Sequence, residues 1–216
     1  MPTLIVADNQ PIDARFGDSV WLTSFITPGN PDVRLKYLEI TDGITLTNDK
    51  IEAIWRYVAE FKYKPVISST LSTPDRKFRQ EDTWFFPAEA MLINNLNCAN
   101  RAFLLTSLVK NELPVRGQVY CVMGVLSNNR VGNHAWVQAQ IDGRIYILEA
   151  TITDKARAII PVDCLDIYKG QVYFDEETVY TTGDVDVATV INTRFELKDI
   201  PFLENYLCEK CLALEG

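Results

Sequence analysis

The chain has 216 residues, 47% of them hydrophobic and 23% charged, with a formal net charge of -8. That is the profile of a folded globular protein, and the length suits one domain with a sizeable core. The acidic balance argues against a nucleic-acid partner, because such a surface repels phosphate backbones, and no apolar stretch approaches the length of a membrane span.

The first residues carry no basic region, and their apolar run stops at Asp8, so no secretory signal is expected and a cytoplasmic location is. Five cysteines, an odd number scattered along the chain, make a poor disulfide framework and fit a reducing compartment. Asn30, Pro31 and Asp32 form a helix start: a cap, a preset first position and an anion at the positive end of the dipole. Gly43 is the matching stop. A second helix is expected from Thr47 or Asn48, burying Ile51, Ile54, Trp55, Val58 and Phe61 at helical spacing and ending at Lys64-Pro65.

A third helix is expected from about Asn97 to Leu113, closed by Pro114. Residues 115–126, rich in Val, Tyr and Leu, read as strand. A hairpin follows, His134–Ile141 and Arg144–Thr151, with Asp142-Gly143 as a type I′ turn. Beyond about 155 the chain alternates β-like pieces (156–162, 171–174, 178–180 and 188–197) with turns, and 202–216 reads as a terminal helix. Helices followed by an antiparallel sheet make an α+β protein.

Three residues of this layout carry chemistry. Cys98 opens the third helix with Asn97 as its cap, where the helix dipole favours thiolate over thiol. By position alone Cys98 is more readily a small buried hydrophobe, the commonest fate of a free cysteine. His134 is the sole histidine. A thiol acyl-transfer site needs one imidazole, whereas a lone histidine is more often structural. Pairing Ile141 with Arg144 sets His134 opposite Thr151 and Trp136 opposite Glu149. His134 and Glu149 then share a face as diagonal neighbours, about 7–8 Å apart at the backbone. A carboxylate there can orient the imidazole; the alternative is a solvated strand-end glutamate.

With these residues in chain order Cys, His, acid, the stretches Asn97–Gly124 and Gly132–Thr151 resemble the transglutaminase-like core of the papain-like superfamily. In that core a nucleophilic cysteine opens a C-x-x-x-A-x-L-L-x-x-L helix, followed by a strand, H-A-W, a hairpin and an acid. The run Trp84-Phe85-Phe86-Pro87-Ala88-Glu89 is similar to the W-x-x-P-x-E approach of bacterial transglutaminase-like cysteine peptidases. The resemblance spans roughly 26–152, leaving 153–216 as an extension of a single domain covering 1–216. It departs at three places: Asn97 stands where the family usually has Asp in G-D-C, Ala99-Asn100 replaces an acidic pair, and Glu149 replaces aspartate.

The resemblance implies a papain-like fold and acyl chemistry on an amide or peptide bond. Cys98 would be the nucleophile, His134 the base and acid, and Glu149 the orienter. It implies no metal or organic cofactor. The expected partner is a protein or peptide substrate, and hydrolysis is preferred over transfer to an amine. Oxyanion or cleft positions fall on the Cys98 N–H, Trp84, Asn94, Asn95 and Trp136, although Trp84 fits a core equally well. Two rival readings stand beside this. One is a non-catalytic binding or structural module that keeps the fold. The other is a metal half-site at Cys208 and Cys211, whose spacing equally places both cysteines on one apolar helix face.

Overall fold

The computed structural model of the protein describes residues 3–15, 17–75, 77–126, 132–154, 158–164 and 167–192. The chain opens with three short strands, β1 (Leu4–Ala7), β2 (Pro11–Arg15) and β3 (Asp18–Trp21), and then enters the helical layer. Helix α1 (Pro31–Thr41) starts as its sequence dictates, with the Asn30 side chain accepting from the N–H groups of Asp32 (2.9 Å) and Val33 (3.4 Å). Helix α2 (Thr47–Ala59) buries Ile51, Ile54, Trp55, Val58 and Ala59. It stops five residues short of the expected Lys64. Strand β4 (Lys62–Tyr63) intervenes, and the Lys62 and Lys64 N–H groups donate to Asn94 and Leu96 carbonyls, a long-range pairing with β7 (Asn95–Leu96) that outcompetes the last helical turn. Between them lie β5 (Ser69–Ser72), β6 (Lys77–Gln80) and α3 (Pro87–Ala90).

Helix α4 (Cys98–Glu112) is the axis of the molecule, and every residue from Cys98 to Lys110 is buried. A helix sealed on all sides must satisfy its polar side chains internally. Asn100 accepts from the Phe85 N–H and donates to the Thr83 carbonyl, while Ser107 accepts from the Thr27 N–H. Lys110 pairs with Asp175 and Glu176. Helices α1, α2 and α3 pack on one side of α4; β8 (Val119–Leu126) and β9 (Gly132–Ile141) pack on the other.

Strands β8 and β9 belong to an antiparallel sheet of seven strands, ordered β1-β13-β12-β8-β9-β10-β11, with β10 (Arg144–Leu148), β11 (Ile159–Pro161), β12 (Tyr168–Phe174) and β13 (Val179–Thr182). The expected β9–β10 register is observed: Ile141 faces Arg144 and Val137 faces Leu148. Asp142 and Gly143 both take positive φ, 50° and 78°, as a type I′ turn requires. Strand β8 begins at Val119, later than the expected 115, because Gly117 at φ 82° turns the chain first. Strands β11, β12 and β13 follow residue 153 yet are integral to the sheet, with β12 hydrogen-bonded directly to β8. Gly124 permits that pairing, since a Cβ there would sit 2.1 Å from the Lys169 carbonyl oxygen.

One expected β segment is a helix. Val187–Asn192 forms α5, capped by Asp186, which accepts from the Ala188 and Thr189 N–H groups and the Thr189 hydroxyl. Val187, Val190 and Ile191 are buried at helical spacing, so cap and burial override the β-branched composition. Residues 193–197 of that segment lie outside the described residues, as do the expected terminal helix and Cys208 and Cys211. No helix is long and apolar enough to cross a membrane among the described residues.

Candidate active site

Cys98 occupies the first position of α4. Asn97, the cap, accepts from the Asn100 N–H (2.9 Å) through Oδ1 and donates through Nδ2 to Asp82 Oδ1 (2.8 Å). Together with the Asn100 bonds, this fastens the approach segment 82–86 to the start of the helix. The approach is braced from outside by Arg15, which bonds Glu89 with both Nη atoms and the Trp84 carbonyl with Nη1; Glu89 also accepts from the Phe86 N–H.

His134 lies on β9 opposite Gly124, and Glu149 follows the last residue of β10. His134 Nε2 is 2.7 Å from Glu149 Oε2. The same carboxylate oxygen accepts from the Tyr168 hydroxyl (2.8 Å), while Oε1 accepts from the Thr151 N–H (2.9 Å) and hydroxyl (2.6 Å). The Glu149 backbone is also fixed: its carbonyl accepts from Trp55 Nε1 (2.9 Å) and its N–H donates to the Ala158 carbonyl (2.7 Å). A carboxylate meeting donors at all four contacts is held ionised and in one orientation.

The Glu149 bond uses Nε2, so Nδ1 is the ring nitrogen left for Cys98. Nδ1 makes no aligned hydrogen bond, yet the thiol interacts with the imidazole closely enough to raise its proton affinity. Such geometry is common in thiol sites without substrate. Burial opposes the imidazolium, but the Glu149 charge and the contacts with Cys98 and Glu149 prevail and push His134 up to about 10. Burial likewise opposes the Glu149 carboxylate, and the His134 and Thr151 contacts hold it below its ordinary 4.5. All three side chains are enclosed, with Cys98 1%, His134 0% and Glu149 1% exposed.

The remaining sequence candidates separate. Trp136 is buried and stacks on His134, ring centroids 6.1 Å apart at 28°, with Tyr168 edge-on to it at 5.0 Å. Trp136 and Tyr168 form one wall of a groove of about 400 Å³ that also meets Gln138, Ile147, Lys169 and Tyr173. Trp84 packs edge-on to Phe25 (5.6 Å) and Phe103 (5.3 Å) as part of an aromatic core. Asn94 and Asn95 are exposed and bordered by α2 and β4; no hydrogen bond among the described residues joins them to Cys98 or His134. Sequence reasoning missed Thr151, Tyr168, Trp55 and Arg101. Thr151 alone left a local signal, since a threonine two residues after an acid can bond back to it. Among the described residues, no group of three or more His, Cys, Asp or Glu side chains could hold a metal ion.

No family model matches the sequence, and no curated protein matches it. Solved structures do. The fold is similar to that of Legionella pneumophila LapG, with a TM-score of 0.51 and 12% identity over 86% of this chain and 94% of that one. A calcium-bound form of Legionella pneumophila LapG aligns at a TM-score of 0.50 and 14% identity, over 84% and 92% of the two chains. The protein therefore has an α+β, papain-like fold of transglutaminase-like type.

Proposed function

We propose that the protein is a thiol hydrolase acting on an amide or peptide bond of a protein or peptide. The observation that carries this reading is the His134–Glu149 pair at 2.7 Å, with the Cys98 thiol as the imidazole's other partner. Cys98 Sγ, as thiolate, attacks the carbonyl carbon, and the carbonyl oxygen takes up the negative charge. The Cys98 backbone N–H is the oxyanion donor, since the first N–H groups of a helix have no intrahelical acceptor. His134 gives its proton to the leaving nitrogen, the C–N bond breaks and an amine departs, leaving a thioester. Water then attacks the thioester while His134 takes its proton. The C–S bond breaks, releasing the acid and restoring the thiolate. Glu149 keeps the imidazole oriented and stabilises its charged form throughout.

The test uses an activated acyl ester and mass spectrometry. The expected product is an acyl adduct on Cys98, sensitive to hydroxylamine, that decays to free acid even with millimolar amine present. A dominant amine adduct favours acyl transfer instead, and acylation spread over other residues removes the assignment. A second reading rests on burial: with Cys98 and His134 enclosed, the fold could serve as a non-catalytic module. It predicts no acyl adduct at all.

A further inference from the structure

Arg101 lies one helical turn beyond Cys98 and is only 2% exposed. Its Nη1 donates to the carbonyl of Ala150 at 2.5 Å and its Nη2 to the carbonyl of Phe61. The guanidinium carbon lies 5.5 Å from the centre of the Tyr63 ring. Ala150 directly follows Glu149, so this fork holds the chain at the residue that carries the carboxylate. Two neutral carbonyls do not repay the burial of a full charge, which costs several kcal/mol in a protein interior. The compensation must come from anions. The titratable groups acting on Arg101 are Glu149, Tyr63 and Cys98. Burial pulls the guanidinium down to about 10 while those three groups act against it, so it is charged at neutral pH.

We propose that Arg101 is a positioning residue of the thiol site: it fixes the Glu149 strand end through the Ala150 and Phe61 carbonyls, and its buried positive charge, one helical turn from Cys98, favours the anionic forms of the groups around it. This rests on the reading of Cys98 as nucleophile. The acidic pair of the resembled family falls here on Ala99-Asn100, which leaves Arg101 the charged residue of this turn.

The experiment measures the rate of Cys98 alkylation by iodoacetamide between about pH 4 and pH 8, by mass spectrometry, in the parent, R101M and R101K, each checked by thermal melting. In R101M the acid limb moves up by about one pH unit, roughly a tenfold loss of rate within the limb. In R101K the charge persists and the fork is lost, so the limb stays in place while the plateau falls. A folded R101M with the parent's acid limb overturns the proposal. So does R101K with a limb displaced by a full unit and an undiminished plateau, a result readable even where R101M does not fold. A parent in which Cys98 does not react overturns the thiol-site reading itself; a reactive parent with unchanged variants overturns the role of Arg101 alone.

Discussion

Replacing Glu149 by Gln keeps the size of the side chain and removes its charge. All four hydrogen-bond partners of the carboxylate are donors to it: the His134 ring, the Tyr168 hydroxyl, and the Thr151 N–H and hydroxyl. An amide cannot accept from all of them. Turned toward Thr151, its NH₂ meets a backbone N–H. Turned toward His134, it demands a lone pair on Nε2 and moves the ring proton to Nδ1, the nitrogen Cys98 needs. The magnitude follows from His134, which stands at about 10 against an ordinary 6.5. That difference corresponds to about 5 kcal/mol in favour of the imidazolium. Burial, the largest single influence, opposes the imidazolium, so the contacts with Glu149 and Cys98 together outweigh that difference, and a drop of at least about 10²-fold in Cys98 alkylation near neutral pH is expected on Glu149→Gln. The control is Glu177→Gln, whose carboxylate is 61% exposed and paired with Arg116. Equal alkylation rates for Glu149→Gln and Glu177→Gln in folded proteins would show that the Glu149 charge does not support the imidazolium.

The His134–Glu149 pair sets a pH window for stability. The raised His134 contributes stability that is complete below 6.5 and lost as pH rises through about 10, while the lowered Glu149 contributes stability present above 4.5 and lost as pH falls through its folded value. Urea midpoints measured across this range should show both flanks in the parent and both reduced in Glu149→Gln. Asn97→Asp restores the residue usual in the resembled family but sets a carboxylate against Asp82 where Nδ2 now donates at 2.8 Å. It should destabilise by about 2–4 kcal/mol, with most of the loss recovered by adding Asp82→Asn, as denaturant titration of the double mutant will test. Tyr168→Phe removes the 2.8 Å donor to Glu149 Oε2. A loss of about 1 kcal/mol and a few-fold slower Cys98 alkylation are expected, and unchanged values for both would detach Tyr168 from the site.

The hairpin was the most legible part of the site. Asp142-Gly143 admits only a turn with two positive φ values, that turn pins the register, and the two-residue period of a strand brings Glu149 to the face of His134. The capped starts of α1 and α4 were legible for the same reason, since each rests on one side chain and its next three residues. What was hidden depends on partners far away in sequence. Strand β1 is short and carries no signal of its own, because its partner is β13, Leu4 facing Thr182. The early end of α2 is dictated by Asn94 and Leu96, and Tyr168 reaches Glu149 only because β12 joins the sheet beside β8. Asn97 looks like a departure from the resembled family, but its physical reason is Asp82, which requires a donor facing it. Nothing within the cysteine motif records that requirement.

The most direct test of the account is site-resolved alkylation of the intact protein with limiting iodoacetamide at mildly acidic pH. Burial pushes the Cys121 thiol well above the ordinary value, so it should stay unmodified. Cys98 should be modified ahead of Cys121, Cys164, Cys208 and Cys211, and His134→Ala should abolish the preference. Equal modification of all five cysteines, or protection of Cys98 while others react, would contradict it.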